Sequence, residues 1–329
     1  MSPHAKMDNK ELTFDDVLRA LREEGKCSGR VNPTAYHAMK PRLEAELGCP
    51  VVSKSTLADF MASPYRFKYN LDHGVRKTSE GMALGSLVDC LVLTPELFSE
   101  QYLCEPVRVQ LKKDGSPYSD GRQDPAQREE WAAKAEQGIN VISEEQLARG
   151  REIADLAKQS LAYERLFVGD TFVSQVGMWV YLTELGGQKL ACPVVVTGML
   201  DICPTGDNAT KLWDLKTTSA DVGNTTKLSY TMEDFHYGMQ AALYTDLWQL
   251  CSGESEPRSF SFMFAGTVPP LMTRAVHVGD DTIELYRAEY QNAVHDYCIA
   301  YHLNEWGSPQ QEDFFFTPSP REYKRIASL

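Results

Sequence analysis

The spacing of apolar positions divides the chain into a helical first half and a second half that alternates strands with helices. In the first half, apolar residues recur at helical intervals, and capping residues such as Thr13, Ser53 and Ser63 precede several of these runs. From residue 171 onward, short runs rich in β-branched and aromatic residues are separated by turn residues, which predicts strands. The predicted helices are 13–25, 34–48, 81–93, 125–137, 143–167, 232–251 and 281–303, with short helices after Ser53 and Ser63, and the predicted strands are 171–183, 188–203, 211–217, 258–265 and 272–278.

The order of these elements predicts an α/β fold. Three successive strands favour antiparallel pairing, and the helix between the third and fourth strands favours a parallel crossover, so the central sheet should be mixed with helices on both faces. Residues 1–50 precede the clearest signals and are predicted to form an N-terminal helical extension, which leaves 51–329 as the main domain. Residues 105–125 are rich in Gly, Pro and Asp and are predicted to form a loop.

The composition is that of a soluble globular protein, with 43% hydrophobic and 24% charged residues. No run of eighteen apolar residues and no hydrophobic signal core occurs, so we expect no membrane association and a cytoplasmic location. The eight cysteines show no Cys-x-x-Cys spacing. They are therefore interpreted as small buried hydrophobic residues in a reducing compartment, not as ligands of zinc or an iron–sulfur cluster.

The net charge of −13 argues against a protein that coats nucleic acid non-specifically, because phosphate neutralisation supplies most of such affinity. It argues less against an enzyme that grips DNA locally. Residues 54–77 form a basic stretch, with Lys54, Arg66, Lys68, Arg76 and Lys77 against Asp59 and Asp72. On charge alone, a solvated helix face is the favoured interpretation of this stretch.

Two acidic residues and one lysine stand out in the predicted strands. Asp201 follows the apolar run 194–200, and strand alternation places Asp214 and Lys216 on the face opposite Trp213 and Leu215. A hairpin between these strands would bring two carboxylates and one ammonium together, an arrangement that suits Mg²⁺ or Mn²⁺ and phosphodiester hydrolysis. A cross-strand salt bridge explains the same spacing equally well, and the tripeptide Asp/Glu-x-Lys recurs at residues 8, 24 and 322.

Two further segments carry polar groups in apolar surroundings. Gly85 and Asp89 share one face of an apolar helix, so the glycine would allow close approach where the acid points. Asp89 is either a further metal ligand or a buried acid paired with a basic residue. Tyr237, Gln240 and Tyr244 share one face of the helix predicted after the strands, where a polar stripe beside core aromatics is the simpler explanation.

These segments together resemble the RecE (exonuclease VIII) type of phage and prophage exonuclease, within the PD-(D/E)XK nuclease superfamily. The resemblance spans roughly residues 50–325, and several ordered blocks at compatible distances are more specific than any one motif. The blocks are residues 52–60 with Ser63-Pro64, 84–98, 141–145, Gly198-x-x-Asp201, residues 214–218, and Tyr237-x-x-Gln240-x-x-x-Tyr244.

The resemblance implies a restriction-endonuclease-like core that digests linear double-stranded DNA from its 5′ ends. Such enzymes leave 3′ single strands for a partner annealing protein in recombination and assemble as homo-oligomeric rings around DNA. For a phage-encoded chain, the location would be the cytoplasm of the host bacterium. By position, the implied catalytic residues are Lys216, Asp201, Asp214 and Gln240, and Asp201 and Asp214 are also the implied metal ligands, with Asp89 as a further candidate ligand. The candidate DNA contacts are Tyr244, Tyr237, Ser53, Lys54 and Arg66.

This sequence departs from the family pattern at two places. Asp89 stands where the family usually has a histidine, and residues 172–176 lack the acid that many relatives carry on the strand before Asp201. Two alternative hypotheses therefore stay open. One is a catalytically weakened or inactive protein that keeps the fold and binds DNA or another protein, and the other is a RecB-like single-strand nuclease.

Overall fold

The computed structural model describes residues 11–75, 79–163, 172–205, 210–310, 317 and 320–327 of the chain. Its strands form one large sheet and one small parallel pair. They are β1 (Lys26–Arg30), β2 (Val51–Ser53), β3 (Tyr102–Cys104), β4 (Asn140–Ile142), β5 (Phe172–Leu185), β6 (Gln188–Pro204), β7 (Lys211–Thr218), β8 (Ser259–Gly266) and β9 (Thr273–Val278).

The large sheet is mixed, as the element order predicts. Along the sheet the order is β1-β5-β6-β7-β8-β9, and β2 pairs separately with β6. The β7–β8 and β2–β6 pairs are parallel, and the other pairs in this sheet are antiparallel. The chain passes from β7 to its parallel partner β8 through the helices between residues 218 and 259, as the sequence predicts for a crossover.

Helices cover both faces of the large sheet. One face packs against α5 and α8, whose side chains surround Trp213 and Leu215, and the other packs against α3, α10 and α11. A short 3-10 turn, Pro95–Leu97, precedes α6. The α-helices are α1 (Phe14–Glu23), α2 (Pro33–Leu47), α3 (Lys54–Ala62), α4 (Pro64–Asp72), α5 (Glu80–Leu93), α6 (Phe98–Gln101), α7 (Pro125–Glu136), α8 (Glu144–Tyr163), α9 (Thr225–Asp234), α10 (Tyr237–Ser252), α11 (Asp280–Leu303) and α12 (Pro320–Ala327).

The first fifty residues contribute a strand as well as the two predicted helices. Thr13 caps α1 with a reciprocal capping box, as its sequence predicts, but β1 pairs antiparallel with β5 and extends the large sheet. The strand was not predicted because Lys26–Arg30 has no alternation of apolar and polar residues. Leu21, Leu43, Trp179 and Val195 share one buried cluster, which joins this region to the sheet. A domain boundary at residue 50 stays a prediction.

The single helix predicted at 232–251 is wrong, because the structure has two helices, α9 and α10, in this region. They are separated at Phe235 and His236, and His236 adopts the left-handed conformation with φ of 52°. A left-handed residue interrupts the helical hydrogen-bond pattern, and neither of the two junction residues is a glycine or proline that would indicate the break. The predicted helix residues 164–167 and most of the turn between β6 and β7 lie outside the described residues.

In the described part of the chain, no single helix is both long and apolar enough to cross a membrane. By length and composition alone, α5 passes the same criteria jointly with residues Pro95–Gln101, to which it is bent by 116°.

Candidate active site

The candidate site lies where β6 changes partner along one of its edges. Residues 195–197 of β6 pair with β2, whereas Ile202 pairs with Trp213 of β7. Between these two pairings, residues 198–201 of β6 are paired with neither β2 nor β7. The carboxylate of Asp201 accepts a hydrogen bond of 2.9 Å from the backbone N–H of Leu215, so a side chain takes the place of a ladder carbonyl.

Asp214 and Lys216 form a buried ion pair on β7, and their shared face confirms the alternation expected from the sequence. Asp214 is 2% exposed, and its second oxygen accepts a hydrogen bond of 2.6 Å from the Gln240 side chain on α10. Trp213 and Leu215 point to the opposite side, into the cluster with α5 and α8. Both oxygens of Asp214 are therefore held in place by cationic or amide donors.

Asp89 joins this group from α5. The position of Gly85 explains how the helix comes close enough, because a Cβ at this residue would lie only 3.0 Å from the hydroxyl of Thr217 on β7. One turn further along the helix, Asp89 interacts electrostatically with Lys216 and Asp214. The structure thus brings Asp89, Asp201, Asp214 and Lys216 together.

Three carboxyls around one ammonium leave an excess of negative charge in a buried place. Burial raises the pKa of Asp89 to about 7, and Lys216 opposes this rise while Asp214 adds to it. Burial also raises the pKa of Asp201 well above its usual value, with further contributions from Asp214 and Asp89. For Lys216, burial alone would lower the pKa, but Asp214 and Asp201 hold it above its usual value.

The donor set fits a divalent cation by its chemistry. Carboxylate oxygens are the ligands that Mg²⁺ and Mn²⁺ prefer, and a divalent charge would offset the excess negative charge of Asp89, Asp201 and Asp214. Across the described residues, however, no three His, Cys, Asp or Glu side chains already stand in an arrangement that could hold a metal ion. The assignment of Asp201, Asp214 and Asp89 as metal ligands stays a prediction.

Tyr237, Gln240 and Tyr244 of α10 meet the site in different ways. Gln240 contacts Asp214 directly. The ring centroid of Tyr237 lies 5.5 Å from the ammonium of Lys216. Tyr244 instead packs its ring against Gly198 of β6, where a Cβ would lie 2.6 Å from the ring, and burial raises the pKa of its hydroxyl. A DNA contact by either tyrosine stays a prediction.

Lys54, at the first turn of α3, also lies at the site. Its ammonium donates to the backbone carbonyl of Phe235 and lies 5.2 Å from the centroid of the same Tyr237 ring that faces Lys216. Burial, together with the positive charge of Lys216, lowers the pKa of Lys54 to about 8. In the described part of the chain, Lys54 has no carboxylate within ion-pair distance, so its charge faces the site without a close counterion.

The other two predicted DNA contacts are placed differently. The Ser53 hydroxyl accepts a hydrogen bond from the backbone N–H of Thr56 and caps α3, which gives this residue a structural role beside the site. Arg66 lies on α4 with an exposed side chain, and no described contact joins it to Asp214 or Lys216.

Sequence reasoning missed the junction between α9 and α10 and its partner on α11. His236 Nδ1 lies 3.2 Å from a carboxylate oxygen of Glu289, whose other oxygen is buried and without a hydrogen-bond partner in the described residues. This pair fixes the start of α10, from which Tyr237 and Gln240 extend. No short-range signal could have identified it, because 53 residues separate His236 from Glu289.

Gln175 of β5 is a second residue that the sequence did not reveal. It is 4% exposed, has a φ of 56°, and lies between the two register pairs that flank Asp201. Its side-chain oxygen has no hydrogen-bond partner in the described part of the chain. It stands on the strand where many relatives of the resembled family carry an acid.

Comparison with known proteins agrees with this architecture. A domain family described as a PDDEXK-like domain of unknown function (DUF3799) matches residues 53–309. A candidate exonuclease of Eubacterium rectale has a similar structure, with a TM-score of 0.51 and 13% sequence identity over 90% of this chain and 98% of that one. A phage-related exonuclease of Haemophilus somnus 129PT matches at a TM-score of 0.28 and 14% identity over 60% of this chain and 91% of that one. A search among curated proteins finds no match.

A mixed sheet with two acids and a lysine at its centre defines a PD-(D/E)XK nuclease fold. The chain belongs to the PDDEXK-like family DUF3799, whose match covers well over half of its length. The PD-(D/E)XK superfamily that the sequence resemblance implied is thereby confirmed.

Proposed function

We propose that this protein is a divalent-metal-dependent exodeoxyribonuclease that digests linear double-stranded DNA. The convergence of Asp201, Asp214 and Lys216 at the partner change of β6 carries the proposal, because a structural salt bridge would need only one of the two acids. Digestion from the 5′ end, 3′ single-stranded products for recombination, a homo-oligomeric ring and an annealing partner belong to the proposal through the family resemblance.

Each residue of the site has a separate task in this proposal. The metal ion, when bound by Asp201, Asp214 and Asp89, would polarise the phosphate and lower the pKa of a bound water. Lys216 holds the attacking water and stabilises the negative charge that develops on the phosphate oxygens. Gln240 keeps Asp214 in position through its 2.6 Å hydrogen bond, and Tyr237 limits the movement of the Lys216 ammonium.

Lys54 is proposed to bind a DNA phosphate next to the one that is cleaved. Its ammonium lies 5.2 Å from the centroid of the Tyr237 ring, which also faces Lys216, and no carboxylate of the described residues lies within ion-pair distance of it. A phosphate would supply that counter-charge, and a half-buried ammonium gains more from such a partner than an exposed one does.

The test compares digestion of an end-labelled linear duplex in the presence of Mg²⁺ or Mn²⁺. We expect the parent protein to digest the duplex and Lys216→Ala to lose about a hundredfold to a thousandfold in rate, because the negative charge of the transition state would lose a donor. Lys211→Ala is the matched control, since Lys211 lies on the same strand but outside the site. Labels at the 5′ and 3′ ends measure the polarity of digestion.

Three results would contradict the proposal in different ways. Duplex binding without cleavage would indicate a protein that keeps the fold but has lost catalysis. Digestion of single strands alone would favour the RecB-like hypothesis. Equal digestion by the parent and Lys216→Ala would show that Lys216 takes no part in the reaction.

A further inference from the structure

Helix α4 has an unusual surface for a helix in the middle of a folded domain. None of its residues is buried, and it exposes 38% of Tyr65 and 49% of Tyr69. Its attachment to the protein is Phe67, whose ring packs against Phe60, Tyr297 and Trp306 at centroid distances of 5.8 to 6.2 Å. The remaining aromatic and basic side chains of α4 are thus left at the surface.

Two aromatic rings on this surface already form a stack. The rings of Tyr69 and His73 lie 4.0 Å apart with an interplanar angle of 19°, and a 2.8 Å contact between His73 Nδ1 and the Tyr69 carbonyl fixes the pair. Ordered, exposed aromatic faces of this kind are platforms on which nucleic-acid bases stack, whatever their sequence.

The charge around α4 fits a polyanion. Helix α4 itself carries Arg66 and Lys68 against Asp72, a net charge of +1, whereas the whole chain carries −13. Lys68 is paired with Asp72, but Arg66 has an exposed side chain and no ion pair in the described residues. Helix α4 therefore differs in the sign of its net charge from the chain as a whole, and Arg66 lies about one helical turn before Tyr69.

The position of α4 connects this surface to the candidate site. Helix α3 begins at Lys54, at the site, and its nine residues lead away over about 14 Å. Helix α5 begins at Glu80, nine residues before Asp89, and returns over a similar distance. Helix α4 thus follows directly after α3, whose first residue, Lys54, lies at the site.

From these observations we infer that the exposed face of α4 binds a single DNA strand that extends from the duplex end held in the site. Bases stack on Tyr69 and His73, and Arg66 contacts the backbone phosphates. This inference rests on the proposed function for its choice of DNA, and it adds a strand-binding surface outside the catalytic group.

The experiment measures binding, without cleavage, in the Lys216→Ala protein with a chelator present. Its substrates are a blunt duplex and the same duplex with a short single-stranded tail. We expect Tyr69→Ala and Arg66→Ala to weaken binding of the tailed duplex about fivefold or more, with little change for the blunt duplex. Tyr69→Phe keeps a ring and should bind like the parent, and Leu285→Ala, at an exposed position on α11, is the control for a surface substitution.

A fluorescence measurement adds a direct readout of stacking. Tyr69→Trp should show quenching of the added fluorescence with the tailed duplex, whereas Leu285→Trp should not. The inference would be overturned if Tyr69→Ala bound the tailed duplex like the parent, or lost affinity equally for blunt and tailed duplexes. It would also be overturned if Tyr69→Ala changed the oligomeric state of the protein but not its affinity for DNA. Because this experiment measures binding without hydrolysis, a parent protein that fails to cut DNA would contradict the proposed function but not the inferred binding surface.

Discussion

At the residue scale, few groups neutralise or hydrogen-bond the buried carboxylates of the candidate site. Asp214 has Lys216 and Gln240 as partners, whereas Asp201 has the backbone N–H of Leu215. A buried carboxylate that loses one donor keeps its desolvation cost, so removal of the neutral partner Gln240 should also impair the site.

Replacement of Gln240 by leucine should lower kcat about tenfold or more while leaving KM within about twofold, since the change misplaces Asp214 without touching the DNA-binding surface. Steady-state kinetics on linear duplex would measure both constants. Gln249→Leu, on the same helix and away from the site, should behave like the parent. A rise in KM with unchanged kcat would instead place Gln240 in substrate binding.

Asp89 should make the stability of the protein depend on pH when divalent cations are chelated. Its pKa is about 7 in the folded protein against a usual 3.8, so folding favours the protonated form and stability falls as pH rises between these two values. Asp89→Asn removes the ionisation and should raise the free energy of unfolding by up to about 4 kcal/mol at pH 8. At pH 4 the gain should vanish. Urea unfolding at both pH values tests this, and an equal gain at each would exclude ionisation of Asp89 as the cause.

At the element scale, the strand that carries Asp214 and Lys216 could be predicted from the sequence, because its alternation is local. The position of Lys54 could not be predicted, since its ammonium meets the Phe235 carbonyl 181 residues away. Helical periodicity found the region of α10 but missed its start, which depends on the left-handed His236 and on Glu289 from α11. β2 escaped prediction because its three residues are too short to show a period.

The start of α10 also depends on a close helix crossing. A Cβ on Gly238 would lie 2.2 Å from the ring of Tyr286 on α11, so the two helices can approach only because this residue is glycine. Gly238→Ala should therefore lower the free energy of unfolding by about 2 kcal/mol. Gly81→Ala, at a helical position where a Cβ would lie an ordinary 3.8 Å from the Ser79 hydroxyl, should leave stability unchanged or raise it. Thermal and chemical unfolding measure both, and a neutral Gly238→Ala would mean that Tyr286 moves aside without cost.

At the scale of the whole molecule, the N-terminal region and the main sheet should unfold together. Leu21 on α1 is 4% exposed and lies in the cluster that contains Trp179 of β5 and Val195 of β6. Strands β5 and β6 thus contribute to the buried cluster of the N-terminal region as well as to the core of the main sheet. Because the two regions share buried residues, we expect them to unfold as one cooperative unit.

Substitution of Leu21 by aspartate should lower the melting temperature of one common transition by several degrees, because it buries a charge in the shared cluster. Calorimetry measures the number of transitions as well as their midpoints. Leu285→Asp, at a position 69% exposed, should melt like the parent. A separate, low-temperature transition in Leu21→Asp would show that residues 1–50 fold as a unit of their own.

The partner change of β6 has a consequence for how the site tolerates insertions. β2 and β7 meet the same edge of β6 one after the other, so the residues between Thr197 and Ile202 set how far apart Lys54 and Lys216 stand. An added residue there would turn every following side chain of β6 to the opposite face and separate the two ammonium groups. The distance between Lys54 and Lys216 therefore depends on the number of residues in this stretch of β6. Insertions or deletions there should be incompatible with activity.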